Sequence, residues 1–156
     1  MVVLVSFRLG AEIFLLPLNQ VERIVQIAAM RPVPGAPPDL LGILTFRGKA
    51  LPVLDLRPRL GFAATPFSLT HHLILVNSTE HLQRAALLVD ESLDVITADT
   101  LLPATELIPP LWIHALPWMS GALILAGQAR MCLNIDALLT LVPLEHEGND
   151  SRSANG

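Results

Sequence analysis

Apolar residues run along this chain in short blocks, and glycine or proline closes most of them. Blocks of that length bounded by turn formers read as buried β-strands, since helices need longer amphipathic stretches. Residues 2–9, VVLVSFRL, are rich in β-branched side chains, and Gly10, Ala11 and Glu12 turn the chain into IFLLPL, which predicts a hairpin. Over 21–27, VERIVQI, a strand would put Val21, Arg23, Val25 and Ile27 on one face and Glu22, Ile24 and Gln26 on the other. A helical turn at 19–23 competes with that reading.

Residues 31–39, RPVPGAPPD, are read as an irregular connection, because each proline removes a backbone donor and restricts its predecessor. The following LLG is expected to make a helical turn ending at Gly42. Two strands, ILTF and ALPVLDL, come next, with a tight turn at Gly48. Residues 58–66 read as a loop anchored by Leu60, Gly61 and Phe62. HLILVN at 72–77, STEHLQR and AALLV predict a further hairpin. Residues 99–118 contain four prolines and little periodicity, yet Leu107, Ile108, Leu111, Trp112, Ile113 and Trp118 make them apolar. In NIDALLTLV, Asn134 or Asp136 is placed to cap a short helix. The polar residues 145–156 are expected to be a disordered tail.

One unit is used twice. Gly42 and Gly48 lie six apart around ILTFR, and Gly121 and Gly127 lie six apart around ALILA. An apolar run follows each second glycine and leads to an aspartate, Asp55 or Asp136, with spacings that differ by two residues. Upstream, LLPLNQVERI resembles LLVDESLDVI, with Val21 and Glu22 matching Leu93 and Asp94. An isolated strand pair is marginal in water, so two small sheets that bury each other's apolar faces are the expected arrangement.

Composition narrows the function classes. At 156 residues the chain is about one domain, 1–144, and its 52% hydrophobic and 15% charged content leaves an apolar surplus beyond an ordinary core. No run reaches the roughly 18 uninterrupted apolar residues of a membrane span, and no secretory signal is evident, so direct membrane insertion is not expected and a cytoplasmic location is. The ten Lys and Arg residues are scattered, the net charge is −4 and there is no tyrosine, which argues against nucleic-acid binding. The single cysteine, Cys132, has no internal disulfide partner and reads as a small buried hydrophobe.

The search for chemistry returns little. Gly48 and Lys49 lack the glycine spacing and the following Ser or Thr of a phosphate loop. The histidines do not fall at metal-ligand spacings, so neither a metal nor a cofactor is expected. No serine sits in a nucleophile elbow. Asp90, Glu91 and Asp94 are close in sequence, but acid–base work needs a concave site around them.

A more specific signal comes from the order of segments. VERI, VPGAP, GILTFRGKALPVLDLR, LILVN, ALLVDESLDVI and NIDALL follow one another as in the CheW-like domain of chemotaxis coupling proteins, which the chain resembles over residues 4–142. Arg47 and Gly48 followed by a strand ending in Asp55, Leu56 and Arg57 carry most of that resemblance; Val89 to Val95 comes second. The resemblance implies an all-β fold of two packed SH3-like five-stranded β-barrels with one or two short helices. It also implies a non-enzymatic adaptor that binds the regulatory domain of a CheA-type histidine kinase and the cytoplasmic tip of a chemoreceptor. The receptor's helical hairpin is expected in an apolar groove where the barrels adjoin, and the kinase domain is expected to pair barrel to barrel.

By the same resemblance, Val21, Gly42 and Arg47 match positions associated with partner contact, with Phe46 and Gly48 flanking the arginine. Arg47 either fixes a partner's register or braces the barrel through a carboxylate. Leu18, Ile24, Leu93 and Val95 are candidate interface residues that ordinary core packing would also explain. Many family members carry Val-x-Glu-Ile where this chain has Val21, Glu22, Arg23 and Ile24, so a second arginine replaces the acid that would face Arg47, and on a strand Glu22 would point away. That departure points to a divergent coupling protein serving surface motility or second-messenger control. Two other classes stay open at this point: a small-ligand-binding β-barrel sensor using the Trp-bearing segment 107–118, and an enzyme using Asp90 and Asp94.

Overall fold

The structure is a computed structural model and describes residues 1–26, 30–63, 68, 70–79, 83–113 and 116–139. The expected tail at 145–156 lies outside the described residues. Two sheets are formed. The first joins β1 (Val2–Leu9), β2 (Glu12–Pro17), β8 (Glu91–Ala98), β9 (Leu102–Pro103), β10 (Met119–Leu125) and β11 (Gln128–Leu133), in the order β8-β1-β2-β11-β10-β9. The second joins β3 (Val21–Gln26), β4 (Leu40–Phe46), β5 (Lys49–Asp55), β6 (His72–Asn77) and β7 (Arg84–Val89), in the order β3-β6-β7-β5-β4.

Apart from β9 the two orders correspond strand for strand, including one parallel pair at the same place, β5 with β7 and β11 with β2. The duplication is therefore present in the topology. Its two halves are interlaced, because the hairpin β1–β2 of the first half completes the sheet of the second, and β6–β7 completes the sheet of the first.

The glycine pairs acquire a physical meaning in this frame. Arg47 and Gly48 have φ of 50° and 77°, and Ala126 and Gly127 have 49° and 77°, so both hairpins turn through two left-handed residues. The first glycines act elsewhere. A Cβ on Gly42 would stand 2.6 Å from the Arg31 carbonyl oxygen, and one on Gly121 would collide with that of Leu102. Arg31 pairs with Ile43, and β9 pairs with β10 at Gly121, so each glycine lets the chain that follows an edge strand close its sheet toward a barrel. LLG is accordingly strand and not a helical turn, since closure demands an extended backbone through Gly42. The strand reading holds over Val21–Gln26, while the helical turn expected at 19–23 is a 3-10 turn confined to Leu18–Gln20.

The central hairpins are buried on both faces, which is why they read as unbroken apolar runs. Leu73, Leu75, Ala86 and Leu88 fill the five-stranded unit together with Leu44, Leu51 and Val53. Leu4, Leu15 and Cys132 fill the other. Between the sheets, Phe7, Leu16, Leu54, Ile74, Leu87 and Leu138 belong to the largest core. Asp55 caps α1 (Leu56–Arg59) by accepting from Arg57 N, and Asn134 caps the helical residues 135–139 by accepting from Ala137 N. Each cap stands seven residues beyond its turn glycine, so Asn134, and not Asp136, is the counterpart of Asp55.

Candidate partner-binding surfaces

The nine residues expected to contact partners divide by role. At the tip of β4–β5, Arg47 and Gly48 are exposed and Phe46 is half-buried. Across the barrel closure, Arg23 on β3 reaches the same ring: its guanidinium carbon lies 5.8 Å from the Phe46 centroid, and that of Arg47 lies 5.2 Å away. Glu22 does not point away from this tip as strict alternation requires. A register shift between Val21 and Arg23 breaks the alternation, and residues 22, 23 and 24 are all exposed. Glu22 accepts hydrogen bonds from Arg84 Nε, at 3.2 Å, and from its terminal nitrogen. Those bonds, helped by the charges of Arg84, Arg47 and Lys49, hold its carboxyl below the usual glutamate value. Arg84 gave no sequence signal, because it lies 62 residues from Glu22.

Leu18, Ile24, Leu93 and Val95 are exposed, Val95 at 63%, so ordinary core packing does not account for them. Val21 and Gly42 have structural positions instead: Val21 packs against the inter-sheet core, and Gly42 is buried at the closure. Strands β3 and β8 converge at His72, which pairs with Gln26 and whose Nδ1 accepts from Ser92 N at 3.0 Å. Ile24 and Leu93 thus lie on two edge strands linked through His72, and Ile24 adjoins Arg23, which shares the Phe46 ring with Arg47.

The space between the sheets is filled by the chain's own side chains, which leaves the surface along that seam for the expected apolar groove. Apolar recesses persist beside it. One, of about 240 Å³, is lined by Leu40, Pro52, Leu54 and Ala85 among others, and one of about 450 Å³ by Val2, Leu4, Pro17, Leu18 and Leu101 among others. Neither is lined by residues 107–118, where Leu111 and Trp112 are exposed at 85% and 61%.

The carboxylates are structural. Asp90 Oδ2 accepts from Gly10 N at 2.6 Å and pairs with Arg8, while its Oδ1 lies 3.6 Å from both Arg57 and His71. Asp94 is exposed and engages Ser6 through its main chain. No group of His, Cys, Asp and Glu suited to a metal occurs among the described residues. No helix of the described residues is long and apolar enough to cross a membrane.

Comparison with known proteins decides the family. Residues 3–142 match the CheW-like domain. The chain belongs to the CheW-like family. It is 32% identical over 94 residues to a chemotaxis protein CheW of Rhizobium meliloti, covering 60% of this chain and 59% of that one. It is 29% identical over 120 residues to protein PilI of Pseudomonas aeruginosa, covering 75% of this chain and 64% of that one. It therefore spans about three-fifths of the length of these relatives. A crystal structure of the scaffolding protein TtCheW from Thermoanaerobacter tengcongensis superposes with a TM-score of 0.73 at 26% identity, covering 85% of this chain and 88% of that one. CheW-like scaffolding proteins are non-enzymatic.

Proposed function

We propose that this CheW-like scaffold couples a chemoreceptor to a CheA-type histidine kinase in the cytoplasm, binding the kinase's regulatory domain and the receptor's cytoplasmic tip. The adaptor unit in this reading is residues 1–144, with a polar tail at 145–156. The observation that carries it is the β4–β5 tip. There the arginine-glycine turn that marks the family resemblance stands exposed beside an aromatic ring, with Arg47 held in a left-handed conformation. An arginine at the edge of an apolar surface fixes a partner's register while neighbouring hydrophobes supply area. Exposed Leu18, in the turn before β3, and Ile24, Leu93 and Val95, on the edge strands β3 and β8, supply such area.

Pull-down with the regulatory domain of the CheA-type kinase from the same genome tests the reading. Capture by the wild-type chain and loss with Arg47→Ala are expected. No capture at protein concentrations of about tens of micromolar, a range in which even weak specific contacts register, would sink it.

A further inference from the structure

At the β4–β5 tip two cations share one ring. The guanidinium carbons of Arg23 and Arg47 both lie within 6 Å of the Phe46 centroid, and Lys49 is the direct cross-strand neighbour of Phe46. Among the described residues neither Arg23 nor Arg47 has a carboxylate within ion-pair distance. Glu22 is near enough for Arg47 and Lys49 to lower its pKa, but its oxygens are taken by Arg84. A chain of net charge −4 thus concentrates three cations at one exposed tip and leaves two guanidinium forks without an anion.

We propose that Arg23 and Arg47 form a seat for an Asp or Glu side chain presented by the kinase regulatory domain, and that this pair sets which kinase the scaffold accepts. The proposal rests on the adaptor reading above, in which the kinase domain pairs with this chain barrel to barrel. Like charges packed on one ring repel each other until an anion enters between them, so an incoming carboxylate relieves a cost already present in the free protein. Planar guanidinium forks match a carboxylate in two-point geometry, and Phe46 keeps water from one side of them. Away from this tip the Lys and Arg residues are scattered on a chain of net charge −4, which disfavours a polyanion such as nucleic acid. A single carboxylate at the end of an apolar contact fits the available donors.

The test measures binding of the full chain to the full-length CheA-type kinase, and separately to the chemoreceptor, both from the same organism, at low and high salt. Wild-type affinity for the kinase is expected to fall with salt. Arg23→Glu, which sets a competing carboxylate beside Arg47, is expected to weaken it on the order of tenfold and flatten the salt dependence. Arg23→Gln should move it the same way by less, which guards against a folding artefact. A wild-type-like Arg23→Glu beside a weakened Arg47→Glu would overturn the paired seat and leave the adaptor standing. An effect confined to receptor binding would overturn the kinase assignment. Loss of self-association with kinase binding intact would show a second copy of this chain as the occupant. Wild-type binding to neither protein would overturn the adaptor reading and this proposal with it.

Discussion

Arg47 and Ala126 occupy the same position in two equivalent turns, at φ 50° and 49°, each ahead of a glycine at 77°. A non-glycine residue pays about 1 kcal/mol or more for the left-handed region, and asparagine pays least. At Ala126 nothing offsets that cost. Ala126→Asn is therefore expected to stabilise the fold by about 0.5–1 kcal/mol in urea unfolding. At Arg47, stacking on Phe46 is worth about 0.5–1 kcal/mol at an exposed site, so Arg47→Asn should leave stability nearly unchanged while partner binding falls. A large stability change at position 47 would show that the arginine braces the barrel.

Asp90 ties together parts of the chain that only the tertiary fold unites. It serves Arg8 and Gly10 at the end of the first hairpin, and it faces buried Arg57 and His71 on the other side. Asp90→Ala would remove one of the two carboxylates that the described residues place beside Arg57 and strand the Gly10 N–H, at a cost of about 2–4 kcal/mol. Chemical denaturation measures this directly. A loss under about 0.5 kcal/mol, typical of exposed pairs, would mean the cluster is surface decoration.

Short apolar blocks between prolines and glycines were enough to place most strands, and the paired glycines were enough to expose the repeat. Four features escaped for physical reasons. The glycine spacing does not say that Gly42 faces a backbone oxygen 11 residues upstream, because that contact exists only after closure. Aspartate and asparagine cap helices equally well, so Asn134 and Asp136 are both candidates by residue type, and only the fold makes Asn134 the cap and the counterpart of Asp55. Asp136 instead accepts from Ser78 and from Thr79, tying the helical residues to the end of β6. Glu22 was misdirected because period-2 alternation holds only without bulges. Interlacing of the two halves has no local signature at all.

Glu22 gives a pH dependence of known sign. Arg84 holds its carboxyl below the ordinary value of 4.5, so the folded state binds a proton there less readily than the unfolded chain does. The stabilisation is fully present above 4.5 and is lost as pH falls through the lowered folded value. Because the pair is exposed, solvent screening keeps the effect small. Thermal unfolding should find wild type slightly more stable than Glu22→Gln near neutrality, with the gap closing as pH falls below 4.5. A difference that persists unchanged on acidification would assign the effect to packing.

Gly42 matches a position associated with partner contact, yet it is buried and its missing Cβ is what admits Arg31. Both carbonyls it and Gly121 face belong to backbone that closes a sheet, so neither can move without opening the pairing of Arg31 with Ile43 or of β9 with β10. Gly42→Ala and Gly121→Ala are each expected to destabilise by about 2–3 kcal/mol, in the range of overpacking and broken closure. Since Arg23 reaches Phe46 only across that closure, Gly42→Ala should also displace the arginine pair, whereas Gly121→Ala should leave it in place. Binding to the kinase regulatory domain, compared at matched folded fractions, separates the two. Equal residual affinity for both variants would show that Gly42 acts on partners only through overall stability.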